Sequence, residues 1–256
     1  YIFPSLESIR PYLETRESGP TGIWARRTAQ HLKCIVSVGY AETTSDSPMV
    51  LNRDANFNSN VTFGPDGALV AHYRKHFLYV ADEPWCIGGK ERFYAGQYPL
   101  PINKRVAMGI CMDINPYRFI APWSKMEFGN HARDSGADIV ILCMAWSSHT
   151  LLPEEVLQGP IKNVPDYETI EYWISRFVPL LNADNCVILV IGNRCGVEED
   201  NVYTGTSMIA RVGRGKFEVW DVCGRGQERL LIVDTDTEPG LIWDSNTETL
   251  QPNLTL

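Results

Sequence analysis

No run of this 256-residue chain approaches the ~20 consecutive apolar residues that a membrane-spanning helix needs, and the opening "YIFPSLESIRPYLE" is not a basic segment followed by an apolar one. A basic excess is missing too: 23 Lys and Arg stand against 31 Asp and Glu, a formal net charge of −8. Phosphate backbones are held mainly by surplus cations, so neither nucleic acid nor a membrane is an expected partner. Cys-x-x-Cys pairs are absent. The seven cysteines (Cys34, Cys86, Cys111, Cys143, Cys186, Cys195, Cys223) are scattered and odd in number, which suits free thiols in a reducing, cytoplasmic or also nuclear, setting. Among the five histidines only His72 and His76 come close in sequence, at the end of a strand-like run, and no Gly-x-Gly-x-x-Gly or P-loop pattern occurs. No metal and no cofactor is implied.

What is present is an alternation of strand-length apolar runs with helical stretches. Helical spacing covers 5–16, 20–33, 121–135 and 166–184, the last expected to bend or split at Pro179. "CIVSVGY" (34–40), "NVTFG" (60–64), "ALVAHYR" (68–74), "RVAMGIC" (105–111), "DIVILCM" (138–144) and "CVILVIG" (186–192) read as strands, and "GPDG" (64–67) as a hairpin turn. Later come "TSMIARV", "KFEVWDV" and "RLLIVDTD". The pattern predicts an α/β layered fold with a mixed sheet or a pair of sheets, in one domain spanning 1–256.

Three reactive groups fall at or just past strand ends: Glu42 in "SVGYAE", Lys75 in "HYRKHFL" and Cys111 in "MGICMD". Loops after strand ends collect chemistry in such folds. Taken singly, each has an ordinary reading as a solvated acid, a surface cation and a core thiol. Together they are chemically coherent. A carboxylate base can generate a thiolate, an ammonium can stabilise it, and the same ammonium with the backbone N–H of Met112 can hold the oxyanion formed when sulfur attacks a carbonyl.

These residues arrive inside longer motifs. "VGYAE", "NSNVTFGPDGALVAHYRKHFL", "RVAMGICMD", "ARDSGADIVILCMAW", "NRCGVE" and "YTGTSMIA" resemble, in order, landmarks of the nitrilase superfamily of carbon-nitrogen hydrolases. "CMDINPYRF" with "KHFLYVADEPW" is similar to its fungal protein N-terminal amidase branch. The resemblance implies an αββα four-layer sandwich, although the strand, helix and second strand expected ahead of "YIFPSLESI" are not among these residues. It also implies a Glu-Lys-Cys triad, with Glu42 as general base, Lys75 as oxyanion stabiliser and Cys111 as the nucleophile that forms a thioester. The implied reaction converts N-terminal Asn or Gln of proteins and peptides to Asp or Glu with release of ammonia, as in the arginine branch of the N-degron pathway. A second glutamate near the lysine is expected at Glu83, with Glu91 the alternative.

An enzyme selecting N-terminal residues must also satisfy a free α-ammonium, for which Asp113 and Asp82 are the candidates, and Trp146 could wall the pocket. Asp113 has the rival reading of a turn acid after the nucleophile strand. Two other functions fit the same residues: an amidase or carbamoylase for a small metabolite, or an inactive binding protein that keeps the fold. Oligomeric state is left open.

Overall fold

A computed structural model describes residues 5–45, 53–148, 150–198 and 201–253. The chain divides into two compact units, Tyr1–Lys125 and Met126–Leu256.

The first unit opens with a short helix α1 (Leu6–Ile9), which passes into a 3-10 turn at Arg10–Tyr12. Helical spacing predicts a longer element here. Pro11 supplies no N–H to continue the ladder, which explains the early stop. Helix α2 (Pro20–Leu32) starts with Pro at its first turn, where no N–H is needed, and ends as Lys33 turns left-handed at φ 53°. Its Ala25 and Ala29 are fully buried against Tyr40, Val61 and Phe63. Those three residues belong to an antiparallel meander of β1 (Val36–Thr43), β2 (Asn56–Phe63) and β3 (Leu69–Arg74), in the order β1-β2-β3. The expected Gly64–Gly67 turn joins β2 to β3, with Gly67 at φ 82° donating to the Gly64 carbonyl. A hairpin of β4 (Tyr94–Gln97) and β5 (Arg105–Ile110) follows and delivers the chain to Cys111.

Strand β2 begins four residues before its expected start. "NFNS" has little apolar signal, yet every residue of β2 is buried. Buried amides need partners, and they find them: Asn56 Nδ2 donates to the Trp85 carbonyl at 3.2 Å, and Asn58 Nδ2 to Asp82 Oδ1 at 3.1 Å.

In the second unit, β6 (Ile139–Met144) pairs parallel with β8 (Val187–Asn193). Antiparallel β11 (Met208–Gly213), β12 (Lys216–Val222), β13 (Leu241–Asp244) and β14 (Thr249–Pro252) continue outward from β8. A separate small sheet orders β7 (Ser147–Ser148), β10 (Asn201–Thr204) and β9 (Cys195–Glu198). The helices are α3 (Glu127–Asp134), α4 (Pro153–Leu157), α5 (Tyr167–Arg176) and α6 (Val178–Leu181). The break between α5 and α6 at Phe177 is the split expected of Pro179. Helix α3 is shorter than the expected 121–135, because Pro122 and a left-handed Met126 interrupt it. The expected strand "RLLIVDTD" does not form. Leu230 and Ile232 are 81% and 75% exposed, and β12 takes Leu241–Asp244 as its partner instead.

Candidate active site

Side chains alternate across a strand, so register decides which groups can meet. Glu42 pairs with Phe57 and Tyr40 with Ser59, while Ser59 pairs with Arg74 and Asn60 with Tyr73. One face of the meander therefore carries Tyr40, Glu42, Phe57, Ser59, His72 and Arg74. The other carries Asn58, Asn60 and Tyr73, then Lys75, whose N–H donates to the Asn58 carbonyl at 2.8 Å.

On the second face, Lys75 Nζ donates to Asp82 Oδ2 at 2.5 Å, with both side chains buried. Burial alone would lower the lysine's pKa. The Asp82 charge, then those of Cys111 and Asp113, more than offset this and hold it above its ordinary value. Lys75 is thus a permanent ammonium close enough to Cys111 for their charges to couple. Cys111 follows β5 in a left-handed conformation, φ 45°, directly after an extended Ile110 at φ −126°. A non-glycine residue held at positive φ stores local strain, a habit of functional turns, and this sharp turn leaves the thiol half-buried beside buried Met112.

Asp113 locks the two strand ends together. Its Oδ2 accepts from the Ile110 N–H at 2.7 Å and the Tyr73 hydroxyl at 2.8 Å, and its Oδ1 from the Phe77 and His76 N–H groups at 2.8 and 3.2 Å. Burial pushes its pKa up against these donors. The Asp113 oxygens, expected to receive a substrate ammonium, already receive four bonds from the chain itself. Asp82, the other candidate for that ammonium, takes Asn58, Lys75 and the Tyr79 N–H and is ion-paired with the lysine.

Replacing Asp113 with Asn should turn an amide NH2 toward backbone donors and cost about 1–3 kcal/mol of stability. Turnover of an Asn-initiated peptide and of a small amide should fall in equal proportion. Steady-state kinetics on both substrates, beside thermal unfolding, checks this; a loss confined to the peptide would return Asp113 to the substrate.

Glu42, expected as the general base, lies on the Arg74 face of the meander and not on the Lys75 face. Its carboxylate takes the Ser59 hydroxyl at 2.6 Å, His72 Nε2 at 2.9 Å, and Arg74 through Nε at 3.0 Å and Nη2 at 2.5 Å. Arg74 and Lys75 are consecutive and point to opposite faces, so the partner of one is turned away from the other. Burial works to raise the Glu42 pKa, but the His72, Arg74 and Ser59 bonds win and hold it at about 2. A carboxylate that acidic is a poor acceptor for a thiol proton.

This ion cluster does have a consequence for stability. Between the ordinary value of 4.5 and about 2, the unfolded chain takes up a proton that folded Glu42 refuses. Stability present above pH 4.5 is therefore lost as pH falls through that window, by on the order of 3 kcal/mol. Urea unfolding between pH 6 and pH 2 should show a shallower acid loss for Glu42→Gln than for the unaltered chain.

Glu83 is half-exposed and pairs with Arg118 at 3.0 Å, away from Lys75, while its neighbour Asp82 faces inward. Glu91 is exposed and acts on Arg74, on the other face. Trp146 lies in the second unit, where its ring packs 5.2 Å from Tyr172 and 6.0 Å from Trp173. Among the described residues, no group of three His, Cys, Asp or Glu is placed to hold a metal ion, and no helix is long and apolar enough to cross a membrane.

No protein-family model matches the sequence. The chain is 30% identical over 249 residues to the protein N-terminal amidase of Schizosaccharomyces pombe, covering 92% of this chain and 83% of that protein. It is 26% identical over 172 residues to the protein N-terminal amidase of Saccharomyces cerevisiae, covering 60% of this chain and 36% of the relative. Its fold matches a crystal structure of N-terminal amidase with an Asn-Glu peptide at TM-score 0.76, 20% identity and 88% coverage of this chain against 84% of that one. A Nesterenkonia amidase from the nitrilase superfamily matches at TM-score 0.54, 15% identity, 93% of this chain and 71% of the other.

Proposed function

The chain belongs to the protein N-terminal amidase family, and from that membership we propose that it hydrolyses the side-chain amide of N-terminal Asn or Gln in proteins and peptides, giving Asp or Glu and ammonia. The observation that carries this reading is the 30% identity to the Schizosaccharomyces pombe amidase, spread over 92% of the chain. Peptides carried by related solved structures, Asn-Glu and Gln-Val among them, support the same substrate class. We take residues 1–256 as one carbon-nitrogen hydrolase domain, and a reducing, cytoplasmic setting suits its free cysteines.

Cys111 is the proposed nucleophile. Its thiolate attacks the amide carbon, the C–N bond breaks and the nitrogen leaves as ammonia carrying the proton the thiol gave up, and water then cleaves the thioester to the acid and restores the thiol. Lys75 is the proposed electrostatic partner: as a buried ammonium it favours the thiolate before attack and the oxyanion during it, with the Met112 N–H a second candidate donor. Asp82 keeps that ammonium charged and aimed. This assigns to the Lys75–Asp82 pair the support expected of a second glutamate. Glu42 keeps a structural role in the ion cluster on the opposite face.

The test is mass spectrometry of peptides beginning with Asn, Gln or acetyl-Asn after incubation with the chain. A gain of about one mass unit, amide exchanged for acid, is expected for the free N-termini and not for the acetylated one. Release of ammonia from free glutamine or from simple amides at equal or greater rates would transfer the activity to small metabolites.

A further inference from the structure

Because Arg74 and Lys75 face opposite ways, one strand end offers a cation to each side of the meander. On the Arg74 side lies a cavity of about 690 Å3, lined by β3 residues and by the segment 87–95. This size falls within the ~300–1,000 Å3 of small-molecule sites. Neither Lys75, Asp82, Cys111 nor Asp113 lines it.

Its charge runs against the molecule's. In a chain of net charge −8, four side chains of the wall are permanent cations, Arg16, Arg74, Lys90 and Arg92, against the acids Asp54 and Glu91. His72 lines it as well and is bonded to Glu42. Arg74 is fixed in place: Glu42 holds its Nε and Nη2, and its guanidinium lies 3.8 Å over the Phe57 ring. Those bonds leave its Nη1 edge uncommitted. Arg16 pairs with Glu17, and that pair is exposed. The side chains of Lys90 and Arg92 form no ion pair or hydrogen bond with any described residue. Phe93 and Tyr94 add aromatic wall beside these cations.

We propose that this cavity binds a small organic anion, bearing carboxylate or phosphate charge on a flat or apolar body. The charge sits against Lys90, Arg92 and the free edge of Arg74, where anion–cation hydrogen bonds are the strong kind. Its body rests on Phe93 and Tyr94. Inorganic phosphate alone would leave most of the volume unfilled. This site is separate from the thiol and independent of the reaction proposed for it.

Titration calorimetry on the whole chain tests this with phenyl phosphate and phthalate as probes, and phenol as the uncharged control. At least one anion should bind, phenol should not, and the preferred anion assigns the ligand as a phosphate ester or a carboxylate. The double variant Lys90→Ala/Arg92→Ala, at two exposed positions, should weaken binding by about tenfold or more, whereas Lys90→Arg/Arg92→Lys should retain it. Cys111→Ala should bind as the unaltered chain does. Absence of heat with both anions, equal affinity in the double alanine variant, or loss of binding in Cys111→Ala would each overturn the proposal.

Discussion

Replacing Cys111 with alanine is expected to remove deamidation of Asn-initiated peptides altogether, a loss of about 10^4-fold or more, with the fold intact. The size follows from what is deleted: without sulfur there is no thioester, and the remaining groups only bind and polarise the amide. That the fold survives follows from the position. Cys111 is half-buried at a turn, and the bonds that close the turn come from Asp113 and backbone groups. Glycine at the same position sharpens the experiment. At φ 45° a side chain strains the backbone, so Cys111→Gly should be as inactive as the alanine variant yet about 1 kcal/mol more stable than it. Mass spectrometry reads the activity and urea unfolding the stability. Residual turnover within tenfold of the unaltered chain, in either variant, would take the nucleophile away from this sulfur.

Such a result would bear on how the site was legible at all. Cys111 and Lys75 could be proposed from the sequence because each closes an apolar run, and strand ends are places where a fold presents reactive groups. Glu42 also closes a run, yet it lies on the other face of the meander, and the reason is physical. Which side of a sheet a residue takes depends on pairing register, and the polar run that opens β2 carries no apolar alternation from which to read it. Once Glu42 is seen opposite Phe57, and Ser59 opposite Arg74, the one of the two adjacent cations it can meet is the arginine. A shift of one residue would have given it to the lysine. Asp82 and Glu83 sit in a turn, where no strand alternation tells which acid faces inward. Two adjacent acids look alike in sequence, but one is 1% exposed under Lys75 and its neighbour bonds Arg118 at the surface. The missed strand start at Asn56 belongs here as well. Asparagines that line a polar site carry no hydrophobic signal, so the residues that make β2 useful also hide it. "RLLIVDTD" errs the other way, because an apolar run makes a strand only where an edge is free to pair, and β12 is already taken by Leu241–Asp244.

The second large effect is expected at the lysine. Lys75→Met should abolish activity and also destabilise the chain by about 3–5 kcal/mol, since it strands the Asp82 carboxylate in a buried site with its charge unanswered. Stability and catalysis separate in the double variant Lys75→Met/Asp82→Asn. Neutralising both partners removes the stranded charge, while the amide that replaces the carboxylate can still accept from the Tyr79 N–H and bond Asn58, so much of the lost stability should return. Activity should not. A cycle of the two single variants and the double, followed by urea unfolding and peptide deamidation, gives a coupling energy for stability and none for turnover. If the double variant recovers deamidation, the ammonium does not hold the oxyanion. If Lys75→Met alone unfolds no more readily than the unaltered chain, the buried pair with Asp82 does not hold the fold together.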